Sequence, residues 1–137
     1  MKLGAGFFLL CPSTGRVLVV LRNDPEPTWS IFGGGLEKYE TSLQCAKREL
    51  LEEANFIEEQ DYTIPSSRPA NIGIYNYFTY RTYIALVDSE ITPTLNYEHS
   101  EFCWVTLQDI PYPHHFGIDQ LMSDEKFIKK LSTYIKQ

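Results

Sequence analysis

The chain has 137 residues, 43% of them hydrophobic and 14% aromatic, which is enough for one domain with a substantial core and argues against disorder. Its formal net charge is −6, and residues 36–61 hold eight acids against three bases. No basic patch is visible, which argues against binding to long nucleic acid. A concentrated acidic face can still bind a polyanion when divalent cations lie between the two.

The cysteines indicate a reducing compartment. The chain has three cysteines, Cys11, Cys45 and Cys103. Their odd number and wide spacing argue against a disulfide framework or a zinc site. The apolar run near the N-terminus is too short for a signal peptide and continues into a second strand-like run. No segment is long enough to span a bilayer. We therefore expect a soluble cytoplasmic protein with no membrane partner.

The N-terminal third reads as β-structure. Residues 4–11 and 16–22 are apolar runs separated by Pro-Ser-Thr-Gly turn chemistry, which predicts a hairpin. A loop with two prolines follows at 23–27, and then a short β segment at 29–32. The glycine triplet at 33–35 is predicted to lie outside a strand, since glycine permits positive φ and a close approach of the backbone to another group.

A helix is predicted after the glycines. Thr41 and Gln44 match the pattern of a capping box, and Asn55 is suited to the left-handed position that ends a helix. The apolar residues between them recur at helical spacing on one face. They are Leu43, Ala46, Leu50 and Ala54.

The C-terminal half predicts more strands and a closing helix. A loop with a short strand at 62–64 is predicted first. Residues 74–87 follow, and their composition predicts either one strand or two strands with a turn near Asn76. This stretch is expected to cross the centre of the sheet. Residues 97–101 are predicted as a loop, 102–106 as a strand, and a final helix runs from 118 or 124 to 135. This order fits an α+β fold, an α/β/α sandwich around a mixed sheet, without a linker between domains.

Three glutamates share a second face of the predicted helix. Glu49, Glu52 and Glu53 are related by steps of three and four residues, and like charges at this spacing destabilise an isolated helix. A solvated acidic face is the ordinary explanation. The preceding glycines, and Arg48 with its planar fork beside the acids, favour a metal platform instead. Oxygen ligands alone suit Mg²⁺ or Mn²⁺.

Residues 34–56 resemble the Nudix box, G-x5-E-x7-R-E-U-x-E-E-x-G-U. Gly34, Glu40 and the Arg48-Glu49 pair fall on fixed positions, and only the last glycine differs, as Asn55. Tyr39 and Phe32 stand where many relatives have glycine and proline, and neither change removes a carboxylate. The resemblance implies a single MutT-like Nudix domain over residues 1–137, with an α/β/α fold and a mixed central sheet.

The same resemblance implies hydrolysis of a nucleoside diphosphate linked to some group X, with Mg²⁺ or Mn²⁺ as cofactor. It implies that the metal ligands are Glu49, Glu52, Glu53, Glu40 and the carbonyl of Gly33. One of these glutamates, Glu53 or Glu52, is the candidate base, and Arg48 orients a carboxylate.

Outside the box, Glu98 is either a further ligand or base from a late loop, or part of a polar surface loop. His99 is expected to be exposed, and His114-His115 lacks the partners of a metal site. Candidate substrate contacts are Gly34, Gly35, Arg22, Tyr39 and Arg81, the arginines because their fork matches phosphate.

The functional alternatives are a Nudix-like module that senses a nucleotide without cleaving it and an acidic interaction domain. The substrate stays open among nucleoside triphosphates, ADP-ribose-like diphosphates and dinucleoside polyphosphates. Both a monomer and a homodimer are compatible with the sequence.

Overall fold

A seven-stranded mixed sheet forms the centre of the structure, a computed structural model that describes residues 2–136. The strands are β1 (Lys2–Cys11), β2 (Arg16–Arg22), β3 (Trp29–Ser30), β4 (Phe32–Gly35), β5 (Asn71–Ile74), β6 (Phe78–Leu86) and β7 (His99–Val105). The helices are α1 (Ser42–Ala54), α2 (Phe116–Met122) and α3 (Glu125–Ser132), with a 3₁₀ turn at Leu107–Asp109.

Strand β1 connects the parts of the sheet. It pairs with β6 in parallel along almost its whole length. On its other side it pairs antiparallel with β4, from Gly4 to Phe7, and with β2 near its C-terminal end. β2 also carries β3 and β7, and β5 pairs only with β6. The glycine strand β4 is therefore held directly against the central strand.

Each face of the sheet has its own apolar core. Alternate side chains of β1 point to opposite faces, and both sets are buried. Ala5, Phe7 and Leu9 pack with α1, while Phe8 and Leu10 pack with α2 and α3. This arrangement confirms the predicted α/β/α sandwich.

The boundaries of α1 confirm the sequence prediction. The Gln44 N–H donates to Thr41 Oγ1 at 3.1 Å, and the Thr41 N–H donates to Gln44 Oε1 at 2.9 Å, so the capping box is complete. Asn55 ends the helix at φ 61°, in the left-handed region. Ala46, Leu50 and Ala54 are buried on the predicted apolar face.

The prediction that the glycine triplet lies outside a strand is wrong. Gly33 to Gly35 form β4 with Phe32, and Gly33 pairs with Gly6. A Cβ on Gly33 would lie 2.6 Å from the Ala5 carbonyl oxygen and would also meet the Tyr80 hydroxyl. The predicted close approach is therefore present, and it explains why glycine is needed inside a strand.

Three further boundaries differ from the predictions. The long β stretch is two strands, as one alternative had it, and the first begins at Asn71, earlier than expected. β7 begins at His99, inside the predicted loop. The closing helix is split, because Asp124 caps a new helix by accepting from the backbone N–H groups of Lys126 and Phe127.

No helix within residues 2–136 combines the length and hydrophobicity needed to cross a membrane.

Candidate active site

Three carboxylates converge beside β4. Glu49 and Glu53 come from α1, and Glu98 comes from the segment that precedes β7. Each offers an oxygen atom, and these oxygens lie within 4.8 Å of one another. The backbone N–H of Gly33 donates to Glu53 Oε1 at 2.8 Å, so β4 fixes the orientation of that carboxylate.

Two of the three carboxylates, Glu49 and Glu53, are buried, and Glu98 is exposed. Glu53 is 1% exposed, and burial, with the charges of Glu49 and Glu98 adding to it, raises its pKa to about 9. Burial also raises the pKa of Glu49, although Arg48 opposes that change. A set of oxygen donors with excess negative charge fits a hard divalent cation, which would favour the ionised carboxylates.

Arg48 organises the outer side of the cluster. Its guanidinium donates to Glu40 through Nε at 2.7 Å and Nη2 at 3.0 Å, and to Glu49 Oε1 through Nη1 at 2.9 Å. It also reaches the Gly35 carbonyl at 3.0 Å, which ties α1 to β4. These contacts hold the pKa of Glu40 down at about 2. Arg48 thus contacts Glu49 of the cluster, Glu40 beside it and the backbone of β4.

The structure places two of the predicted ligands outside the cluster. Glu52 is half exposed, and its carboxylate lies 3.2 Å from Arg48 Nη1. Glu40 binds Arg48 and accepts the Glu37 N–H. For Gly33, the contact seen is between its N–H and Glu53, whereas the resemblance implied a role for its carbonyl.

Glu98 is held in place by Asn96, a residue that the sequence reasoning missed. The Asn96 side-chain amide donates to Glu98 Oε2 at 3.3 Å and to the Glu52 carbonyl at 3.1 Å. The Glu98 N–H donates back to Asn96 Oδ1 at 2.9 Å. The signal in the sequence was an asparagine two residues before an acid, which is typical of an Asx turn.

The histidines differ in part from expectation. His99 is buried, not exposed, with its ring edge-on to Phe32, and burial lowers its pKa to about 4. His114 is bound by Asp119 and the Ile110 carbonyl, and His115 caps α2 by accepting the Gly117 N–H. Within residues 2–136 neither His114 nor His115 belongs to a cluster that could hold a metal.

A cavity of about 230 Å³ lies on the opposite face of the sheet from α1. Gly33 and Gly34 form part of its wall, so β4 separates the cavity from the carboxylates. Tyr75 and Phe78 stack at 4.6 Å in another part of the wall, with Phe116 edge-on to Tyr75. Its lining comes from residues between Arg22 and Leu121, too far apart in the chain to be assembled by sequence reasoning.

The predicted substrate contacts are divided by this geometry. Arg22 and Gly34 line the cavity, although Arg22 Nε also donates to Asp24 at 2.7 Å. Gly35 lines a second, more open cavity of about 830 Å³ that shares Gly34. Arg81 lines neither, and Tyr39 is 93% exposed with φ 67°.

Most of the chain matches a known protein family. The NUDIX domain matches residues 1–124. Among curated proteins, the chain is 29% identical over 106 residues to a dihydroneopterin triphosphate diphosphatase from Haemophilus influenzae, covering 68% of this chain. The match spans 66% of that relative, just under two thirds of its length.

Solved structures show the same fold. A C. elegans Ap4A hydrolase in a binary complex superposes with a TM-score of 0.75 at 22% identity, covering 96% of each chain. The Nudix hydrolase RenU from M. smegmatis gives a TM-score of 0.75 at 24% identity, covering 98% of this chain and 87% of the other.

Proposed function

The chain belongs to the Nudix family of pyrophosphohydrolases, and on that premise we propose that it hydrolyses a pyrophosphate bond in a nucleoside diphosphate linked to a further group. The observation that carries the proposal is the convergence of Glu49, Glu53 and Glu98, three carboxylates with oxygens within 4.8 Å of one another. Such a cluster is costly to bury unless a cation binds it. Its donors suit Mg²⁺ or Mn²⁺.

We propose that Glu49, Glu53 and Glu52 hold the metal. Glu52 is half exposed and one position from Glu53, so it can join the set by leaving Arg48. A divalent ion held by these residues would supply Lewis-acid chemistry, which favours attack of water on a phosphate group. Arg48 keeps Glu49 oriented, and the Gly33 N–H keeps Glu53 oriented. Glu40 acts through Arg48 as its anchoring partner.

Glu98 is the proposed proton acceptor for the attacking water. It is the exposed member of the cluster, and so it is the carboxylate that bulk water can reach. The hydrogen bond that Asn96 donates to Glu98 Oε2 is long, at 3.3 Å, which leaves acceptor capacity for a proton. Glu53, in contrast, is enclosed and bound by the Gly33 N–H.

The proposed substrate is a single heterocycle that carries a phosphate chain, as in a nucleoside triphosphate. The cavity of about 230 Å³ has the size and aromatic wall for one ring system. Gly34 and Gly35 present a side-chain-free edge to the phosphates, with Arg22 nearby as their counter-charge. The name of one relative, a dihydroneopterin triphosphate diphosphatase, describes a substrate of this kind, a single ring system joined to a triphosphate.

We place the protein in the cytoplasm as a single-domain enzyme over residues 1–137. The free thiols of Cys11, Cys45 and Cys103 support a reducing compartment. Small nucleotides are the proposed partners, with the chain acting alone or as a homodimer.

The test is a panel of nucleotides with phosphate or pyrophosphate release measured in Mg²⁺ and in Mn²⁺. Glu53→Gln should lower kcat by about 100-fold or more, since it removes a ligand without changing the side-chain shape. Glu58→Gln is the matched control, because Glu58 pairs with Lys47 away from the cluster. Unchanged turnover in Glu53→Gln would overturn the assignment. Metal-dependent nucleotide binding with no turnover would support the sensing module instead.

A further inference from the structure

One carboxamide in the cavity wall has a fixed orientation. Asn71, at the start of β5, is 5% exposed and lines the cavity. Its Nδ2 donates to Asp124 Oδ2 at 2.7 Å. Since Asp124 belongs to the cap of α3 and does not line the cavity, the partner that sets the amide lies behind the wall.

Asp124 can only accept hydrogen bonds. Its Oδ1 takes the backbone N–H groups of Lys126 at 3.0 Å and Phe127 at 3.2 Å, and the bond from Asn71 holds the pKa of Asp124 below its ordinary value. An ionised carboxylate has no proton to donate, so the NH₂ group of Asn71 must face it. The carbonyl oxygen Oδ1 of Asn71 is then the atom left for the cavity.

That oxygen is available to a ligand. Within residues 2–136 no group donates to Asn71 Oδ1, and the atom is not sealed from solvent. Gln120, which also lines the cavity, makes no hydrogen bond that fixes which end of its amide faces inward. Asp124 thus fixes Asn71 so that a hydrogen-bond acceptor faces the cavity, whereas the Gln120 amide can present either its oxygen or its NH₂ group to a ligand.

We propose that Asn71 selects the heterocycle of the substrate by accepting hydrogen bonds from a 2-amino-oxo ring, as in guanine. Such rings place a ring N–H beside an amino group, and an amide oxygen has two lone pairs to accept from this edge. Adenine has an amino group beside an unprotonated ring nitrogen. That nitrogen is an acceptor, and it would face the Asn71 oxygen with no hydrogen between the two atoms. This inference rests on the proposed function and assigns the class of ring that the cavity takes.

The experiment compares kcat/KM for GTP, ITP and ATP in three proteins. The wild-type enzyme should favour GTP over ATP by about tenfold or more, with ITP between them because it lacks the amino group. In Asp124→Asn, the capping oxygen is kept and an NH₂ group now faces Asn71. Asn71 then has to turn its carbonyl oxygen towards the new NH₂ group at position 124, which places its own NH₂ group in the cavity. The ratio of kcat/KM for GTP to kcat/KM for ATP should therefore fall by about tenfold.

The double variant Asn71→Asp with Asp124→Asn restores an acceptor. The new amide at position 124 would donate to one carboxylate oxygen at position 71 and leave the other in the cavity, so the preference for GTP should return. Asp119→Asn is the control for charge, because Asp119 is an exposed partner of His114 that does not line the cavity. Its ratio of kcat/KM for GTP to kcat/KM for ATP should equal that of the wild type.

A purely structural link between β5 and α3 predicts a lower Tm in Asp124→Asn with an unchanged GTP to ATP ratio, and that result would overturn the inference. A wild-type preference for ATP would overturn it even if the variants fail to fold. Failure of the proposed function has another signature, since the wild-type enzyme would then release no phosphate or pyrophosphate from any member of the panel.

Discussion

The backbone nitrogen of Gly33 lies 2.8 Å from Oε1 of Glu53, so the glycine part of β4 holds the most deeply buried carboxylate of the site. The helix supplies the acid and the strand supplies its orientation. A neutral donor of this kind fixes the direction of the carboxylate but balances little of its charge.

The first prediction concerns Glu53→Gln without metal. A pKa raised to about 9, from an ordinary 4.5, stabilises the folded state fully below about 4.5, and that stability is lost as pH rises towards about 9. Glutamine cannot ionise, so the variant keeps the stability that the wild type loses as pH rises. The Tm of the variant should exceed that of the wild type by roughly 5 °C at pH 8–9, and the two Tm values should meet near pH 4.5.

Thermal melts in EDTA from pH 4.5 to 9 measure this difference. Adding Mg²⁺ at pH 8 should raise the wild-type Tm and leave the variant nearly unchanged. If the Tm of the two proteins in EDTA changed with pH in the same way, ionisation of Glu53 would not be the cause of the stability lost at high pH.

The second prediction concerns Arg48→Lys. A single ammonium cannot reproduce the fork that binds Glu40 twice while also reaching Glu49, so kcat should fall by about 10- to 100-fold. The apparent affinity for Mg²⁺ should fall with it, because Glu49 loses its orientation. Activity titrated against Mg²⁺ measures both effects.

Arg16→Lys is the matched control for that experiment. Arg16 also makes a two-pronged contact, with Glu90, but it lies on the surface far from the carboxylates. Its activity should stay within about twofold of the wild type, as expected for an exposed pair. Equal losses in the two variants would mean that the Arg48 effect is not specific to the site.

The third prediction compares alanine at two neighbouring glycines. A methyl group on Gly33 would lie 2.6 Å from the Ala5 carbonyl oxygen, whereas one on Gly35 has its nearest neighbour at 4.0 Å. Gly33→Ala should therefore cost about 2–3 kcal/mol of unfolding free energy, and Gly35→Ala less than about 1 kcal/mol. Urea denaturation measures both, and similar values would contradict the packing described for β4.

The fourth prediction concerns the one fixed box position that differs, Asn55. Its φ of 61° suits glycine best and asparagine next. Asn55→Gly should change the unfolding free energy by less than about 1 kcal/mol, and Asn55→Ala should lose about 1 kcal/mol. Both variants should retain full kcat, since the residue lies after the last glutamate. A large activity gain in Asn55→Gly would show that the difference affects catalysis.

Local signals in the sequence predicted α1 well. The capping box at Thr41 and the end at Asn55 are interactions between residues a few positions apart, and the apolar face follows from helical periodicity. The first hairpin was predictable for the same reason. The strand of Gly33 was not, because its pairing with Gly6 and its fit against Tyr80 are tertiary contacts that override the preference of glycine for turns.

Local periodicity predicted the helical half of the site, whereas Glu98 was left open between a further ligand or base and part of a surface loop. Glu49 and Glu53 are four residues apart, so their shared face follows from the helix. Glu98 reaches them through an Asx turn built on Asn96, and nothing local indicates where that turn lies relative to α1. The pairing of Asn71 with Asp124 spans 53 positions and was missed entirely.

The attachment of Glu98 has a thermodynamic consequence. The segment that carries it is tied to the end of α1 by the bond from Asn96 to the Glu52 carbonyl. Glu98 is the acid that lies beside the proposed metal ligands Glu49 and Glu53, so opening this segment would take its negative charge away from a bound ion. By linkage, whatever affinity Glu98 adds to metal binding is added equally to the free energy of opening residues 94–98. Saturating metal should therefore slow amide hydrogen exchange in this segment by the same factor that Glu98→Ala weakens metal binding.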